Sequence, residues 1–365
     1  MQTSTIKFDR YQHSSEDECQ ERILAAKEKL GSDLVILGHH YQQESVYKHA
    51  DFTGDSLKLS RYASEAKARY IVFLGVHFMA EVADILSRDD QIAILPDLSA
   101  GCSMADMANL AKVERSYREL SKVLDFDNVI TPLTYINSAA DLKAFCGEHG
   151  GIVCTSTNAP KMLEWSFSRR DKVLFFPDQN LGRWSGYKMG IPLDQMPVWD
   201  PDQPMGGLTE DQVKNAKILL WKGHCAVHQM FREQNIKQFR QAHPDGLVIS
   251  HPESPFEVCL NSDYVGSTEY ILKTVSDAKK GTRWLVGTEL NLVNRLAEKM
   301  KSEDKTVQFM SHVICECSTM ARIDPQHLAW TLENLAEGKV VNQIKVPIKE
   351  AELARLALTR MLEAS

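Results

Sequence analysis

The chain has 365 residues, of which 43% are hydrophobic and 25% charged, with a formal net charge of −7. That is ample apolar material for folded cores, and at about 100–200 residues per domain it predicts two or three domains. The negative balance argues against a nucleic-acid partner, which needs a basic face, but leaves room for a local pocket that binds a small anion.

Residues 1–18 are polar and mixed in charge, without the apolar core of a secretory signal. A helix is predicted over 15–30, opening on a serine and closing at Gly31. Short β-branched runs then alternate with helical patterns, the mark of parallel α/β architecture. The first group of predicted strands covers 34–37, 70–74 and 92–95; the second covers 129–135, 151–154, 173–176 and 217–221. The third covers 247–250, 264–265, 283–286 and 307–310. Helices are predicted over 139–148, 226–242 and 270–279, with two more, 325–337 and 349–362, closing the chain. The longest apolar run, 70–76, is far below the ~20 residues that span a bilayer. A cytoplasmic protein without a membrane partner is expected.

The groups repeat as units. The first strand of each ends in two polar residues at i and i+2: His39 and Tyr41, Tyr135 and Asn137, His251 and Glu253. Period-two geometry sets each pair on one side of its strand. A short strand, a small polar turn and a helix follow, with turns at Thr155-Ser156-Thr157-Asn158 and Gly266-Ser267-Thr268. In the first unit the turn, Gly54-Asp55-Ser56, is expected to precede the second strand instead. A third strand runs into Gly75-Val76-His77, Pro177-Asp178-Gln179 or Gly287-Thr288-Glu289, and a fourth ends near Cys102, Cys225 or Cys315-Glu316-Cys317. The expected domains are 1–112, 113–230 and 231–324, with C-terminal helices over 325–365 packing on the core. Ligands of open α/β sheets bind beyond the carboxyl ends of strands, so three such ends facing one axis would gather the polar pairs, helix starts and cysteines around one cavity.

Eight cysteines in a reducing compartment are poor disulfide candidates. Cys19, Cys146 and Cys154 lie in amphipathic or apolar stretches and read as small core hydrophobes. Cys102, Cys225 and Cys317 follow strands beside Gly, His or Ser, in turns. The paired knuckles of structural zinc sites are missing, whereas three thiolates on a four-iron cluster leave one iron open as a Lewis acid. Ser56, Ser156, Ser267 and Thr268 are either helix N-caps or, at a ligand crevice, anion binders. His228 is placed to point back toward Cys225, and Glu253 beside His251 pairs a carboxylate with an imidazole for successive proton transfers. Two other chemistries compete: a zinc hydrolase built on Cys225, His228 and another ligand, and a non-catalytic iron–sulfur regulator or electron carrier. The crowd of His, Tyr, Glu and Ser at strand ends speaks against the latter.

In order and spacing, the segments Gly38-His39-His40-Tyr41-Gln42, Gly54-Asp55-Ser56-Leu57, Gly75-Val76-His77-Phe78-Met79-Ala80-Glu81 and Ala100-Gly101-Cys102-Ser103-Met104-Ala105-Asp106 resemble the quinolinate synthases of the longer bacterial form. So do Thr155-Ser156-Thr157-Asn158-Ala159, Trp221-Lys222-Gly223-His224-Cys225, His251-Pro252-Glu253, Gly266-Ser267-Thr268 and Gly287-Thr288-Glu289. The resemblance runs from about Leu34 to the C-terminus. It implies an α/β fold of three homologous three-layer α/β/α domains with parallel sheets, in pseudo-threefold arrangement around a central [4Fe–4S] cluster. It implies condensation of iminoaspartate with dihydroxyacetone phosphate to quinolinate, on the route to NAD, and functional coupling to an L-aspartate oxidase; the oligomeric state stays open, a homodimer among the expectations. Carried over by position, Cys102, Cys225 and Cys317 are ligands, and Tyr41 and Glu253 transfer protons. His39, Tyr135, Asn137, His228 and His251 contact substrate, with His39 and His251 also expected to act in catalysis; Ser56, Ser156, Ser267 and Thr268 bind its anionic groups. Ser254 stands where many relatives have cysteine, and Cys259 follows nearby. The Cys-x-x-Met spacing selects Cys317 over Cys315, and Val313 and Ile314 suggest that Cys315 faces apolar packing.

Overall fold

The computed structural model describes residues 5–314 and 316–365. The chain separates into two compact units, Met1–Cys102 with Glu316–Val346, and Ser103–Cys315 with Pro347–Ser365. The first unit holds the strands Leu34–His39 (β1), Phe52–Gly54 (β2), Tyr70–Leu74 (β3) and Ile92–Ile94 (β4). The second holds two sheets. One comprises Ile130–Tyr135 (β5), Ile152–Cys154 (β6), Lys172–Phe176 (β7), Val198–Trp199 (β8) and Ile218–Trp221 (β9); the other comprises Leu247–Ser250 (β10), Tyr264–Val265 (β11), Arg283–Gly287 (β12) and Thr306–Phe309 (β13). A last strand, Gln343–Ile344 (β14), returns to the first sheet.

Sheet orders are β14-β4-β3-β1-β2, β6-β5-β7-β9-β8 and β11-β10-β12-β13. All observed pairings are parallel except β14 on β4. In each sheet the first strand of the repeat (β1, β5 or β10) lies between the short second strand and the third. The central strands β1, β3, β5 and β7 are buried along their whole length, as parallel strands covered by helices on both faces must be.

The structure corrects the expected order in the first unit. Residues 52–54 form β2, paired with β1 from Leu37↔Phe52 to His39↔Gly54, so the short strand precedes the turn here too. A strand of three residues containing Gly54 carries too little β-branched signal to be read from sequence. The helix expected over 226–242 is also broken. His228–Met230 forms one 3₁₀ turn, Phe231 is extended and fully buried, and the α-helix starts only at Glu233.

The helix Glu16–Leu30 begins with a capping box in which Ser15 and Glu18 each bond the other's backbone N–H, and it packs on the helix Pro325–Ala336. In the second unit the C-terminal helix Ile348–Ala364 packs against Ala140–Glu148. Their approach is close at Gly147, where an added Cβ would lie 1.9 Å from the Leu353 carbonyl oxygen. Among the described residues no helix is long and apolar enough to cross a membrane. Gly147→Ala must push the two helices apart, and overpacking of this kind costs about 1–3 kcal/mol. A lowered thermal midpoint is the expected result, read by circular dichroism.

Candidate active site

In the second unit the site is built where two sheets present their strand ends. Tyr135 is the last residue of β5, and its O–H donates to Glu253 Oε1 at 2.5 Å. Glu253 follows β10, and its Oε2 lies 3.0 Å from His228 Nδ1. All three side chains are buried, His228 completely. The His228 ring lies beside that of His251, with centroids 4.8 Å apart, and its Nε2 faces Thr288 Oγ1 at 3.4 Å.

These contacts set the charges. Burial works to raise the Glu253 pKa, but His228, then His251, and the hydrogen bonds from His228 and Tyr135 outweigh it and hold the carboxyl below the usual glutamate range. For His251 burial dominates over the Glu253 charge and lowers its pKa to about 3, so its imidazole is neutral at pH 7. A buried ionised carboxylate beside a neutral imidazole is a proton acceptor beside a proton shuttle.

The i, i+2 pairs reveal a local rule that periodicity did not predict. The Glu253 backbone N–H donates to His251 Nδ1 at 3.4 Å, and the Tyr41 backbone N–H donates to His39 Nδ1 at 3.2 Å. In both units the histidine accepts on Nδ1, which assigns the remaining proton to Nε2 and fixes the ring. In the first unit the Tyr41 ring meets the His39 ring edge-on at 4.8 Å.

Behind Glu253 stands the turn after β7. Asn180 Nδ2 donates to the Glu253 carbonyl at 3.1 Å. Asp178, fully buried, caps the helix Gln179–Lys188 by accepting from the Asn180 and Leu181 N–H groups at 2.7 and 2.9 Å. Burial and then the Glu253 charge push the Asp178 pKa well above the carboxylate range, against the opposing N–H groups of Leu181, Asn180 and Cys225. The Gln179 N–H donates to the Gly223 carbonyl at 2.9 Å. A Cβ on Gly223 would sit 2.2 Å from the Pro177 carbonyl oxygen, so only glycine lets the segment leading to Cys225 lie on this turn. Asp178 and Thr288 belong to turns that the repeat marks in sequence and Asn180 lies in the helix that Asp178 opens, but their roles come from contacts in the folded chain.

The described cysteines fall into two classes. Cys19, Cys146, Cys154 and Cys259 are buried, and burial raises the pKa of all four, that of Cys259 to about 12. Such thiols stay protonated and are poor ligands. Cys102, Cys225 and Cys317 are half-buried. Cys317 Sγ lies 3.4 Å from Thr319 Oγ1. Cys225 joins His228 and Glu253 in a group whose ligand atoms all lie within 4.8 Å of one another. The residues therefore suit metal binding. Cys315 lies outside the described residues, but Val313 and Ile314 are 58% and 81% exposed. The apolar pair does not enter a core, which removes that argument for Cys315.

Of the expected anion binders, Ser267 and Thr268 are buried and Ser56 and Ser156 half-buried. Only Ser267 is an N-cap, accepting from the Tyr270 N–H at 3.4 Å. Asp55 caps the helix that begins at Ser56, and Asn158 occupies the cap position after Ser156. The capping alternative thus falls away for both. Thr268 Oγ1 and Asn137 Oδ1 are buried without a hydrogen-bond partner among the described residues.

A family model described as quinolinate synthetase A protein matches residues 21–363. The chain belongs to this family. It is 54% identical to the quinolinate synthase of Herpetosiphon aurantiacus over 97% of this chain and 94% of that one. Identity is 52% to that of Corynebacterium glutamicum, over 97% and 89% of the two chains. It is 49% to that of Halalkalibacterium halodurans, over 100% and 98%.

The state of Asp178 gives a sign-specific expectation. Its folded pKa is raised, so the folded state keeps the proton that the unfolded chain loses above ~3.9, and stability falls as pH rises from there. Asp178→Asn retains the cap and removes that loss, so its thermal midpoint should gain on the parent between about pH 4 and 7. Asp178→Ala, which removes the same charge but lacks the cap, should lie about 0.5–2 kcal/mol below Asp178→Asn throughout.

Proposed function

We propose that the chain is a quinolinate synthase, condensing iminoaspartate with dihydroxyacetone phosphate to give quinolinate, one phosphate and two waters in NAD biosynthesis. The observation that carries this reading is the buried, ionised Glu253 held among Tyr135, His228 and His251, next to the half-buried thiol of Cys225. A condensation followed by dehydrations needs a base that removes carbon-bound protons and acids that return them to leaving oxygens. Glu253 takes the base role, and His251 and Tyr135 relay protons beside it. In the first unit Tyr41 is the second proton-transfer residue, oriented through its contact with His39. Ser56, Ser156, Ser267, Thr268 and Asn137 receive the phosphate and carboxylates.

Cys102, Cys225 and Cys317 are proposed as the ligands of a [4Fe–4S] cluster. Held by three thiolates, such a cluster would leave one iron open to supply Lewis acidity toward a substrate oxygen. The buried thiols Cys19, Cys146, Cys154 and Cys259 take no part. An imine substrate hydrolyses in water, so coupling to an L-aspartate oxidase in the cytoplasm belongs to the same proposal.

Anaerobically purified protein, given both substrates, should form quinolinate and contain about four iron and four sulfide per chain. Alanine at Cys102, Cys225 or Cys317 should abolish both. Failure to take up iron and sulfide, or to form product, after anaerobic reconstitution of the zinc-free chain would contradict the proposal. Glu253→Gln should lower kcat by ~10²–10⁴-fold, with KM and iron content little changed; near-normal turnover would remove Glu253 from the chemistry.

A further inference from the structure

The group Cys225, His228 and Glu253 offers one sulfur, one nitrogen and one oxygen, all within 4.8 Å of one another. Tetrahedral zinc uses these donors at ~2.3, ~2.0 and ~2.0 Å, which places neighbouring donor atoms roughly 3–4 Å apart. His228 Nδ1 and Glu253 Oε2 are already 3.0 Å apart. We propose that the cluster-free protein binds one zinc-class divalent cation on Cys225, His228 and Glu253, with a solvent molecule completing the tetrahedron.

Charge favours the site. A thiolate, a carboxylate and a neutral imidazole cancel the dication, so no net charge enters a dry pocket. Orienting contacts are built in as well. Tyr135 donates to the far carboxylate oxygen at 2.5 Å, and Thr288 Oγ1 lies 3.4 Å from the second ring nitrogen of His228. Contacts of this kind hold metal ligands in place. Half-buried Cys225 provides the entry side, since His228 and Glu253 are closed to solvent. One consequence rests on the function proposed above: zinc that occupies Cys225 withholds a cluster ligand and the catalytic base together, so it competes with cluster assembly.

The test titrates cobalt(II), as the coloured zinc surrogate, into full-length cluster-free chain under anaerobic conditions. One equivalent should produce tetrahedral ligand-field bands and a thiolate-to-cobalt charge-transfer band, and zinc should erase both. Cys225→Ser should eliminate the charge-transfer band. His228→Ala and Glu253→Gln should each weaken binding by at least about tenfold. Cys102→Ala and Cys317→Ala should leave the spectrum unchanged. Absence of a one-to-one complex overturns the proposal. So does a complex lost in Cys102→Ala or Cys317→Ala but kept in His228→Ala, which would place the ion on the three cysteines. Quinolinate formation is not the readout, so failure here leaves the enzymatic reading standing.

Discussion

Everything in the site of the second unit turns on keeping one carboxylate, Glu253, ionised out of water. An isolated carboxylate in such a place would take up a proton rather than bear the loss of hydration. Glu253 escapes this because one oxygen faces His228, whose charge is the largest opposing influence, and the other accepts the Tyr135 hydroxyl. Asp178, with only backbone N–H groups to balance burial, is pushed the other way. Two carboxyls in one buried neighbourhood are thus driven to opposite states by their partners. Such separation turns similar side chains into distinct acids and bases.

The positions of these groups follow from short-range rules applied at strand ends. A histidine whose Nδ1 accepts the backbone N–H two residues on has its ring fixed by the backbone itself, at His39 and again at His251. The proton left on Nε2 then points away from that turn, where a ligand can be met. Gly223 serves the neighbouring segment, since only a residue without Cβ lets the chain before Cys225 lie on the turn after β7. The acidic cap that follows the third strand recurs as well: Asp178 after β7 and Glu289 after β12 each accept two N–H groups of the helix they open. These caps hold the helix start from which Asn180 reaches Glu253 and the turn that carries Thr288.

The long β-branched strands were legible in sequence to within a residue or two, because full burial leaves them as uninterrupted apolar runs. Of the short edge strands, Ile152–Cys154 and Tyr264–Val265 were found as well, but three other short strands were not. Phe52–Gly54, Val198–Trp199 and Gln343–Ile344 have too few residues to show a period, and pairing with a neighbour defines them. The break before Glu233 was missed because Phe231, buried against the core of the third sheet, overrides a helical pattern on both sides. For the site, the sequence singled out Glu253, His251 and Tyr135 as candidates from the repeat, and His228 from its place three residues after Cys225. It could not say that Tyr135 and Glu253, 118 positions apart, share a hydrogen bond. Asp178 and Asn180 stayed unassigned because a buried cap and an exposed one look alike in sequence.

The ionisation of Glu253 is open to direct measurement. Full-length protein labelled with ¹³C at the glutamate carboxyl carbons, with Glu253→Gln to assign the resonance, would be followed by NMR as pH is lowered. The account predicts that Glu253 remains a carboxylate at ~4.3, where an unperturbed glutamate is half protonated, and that Tyr135→Phe moves its titration upward. A Glu253 signal that titrates at or above the ordinary glutamate range, unaffected by Tyr135→Phe, would contradict it.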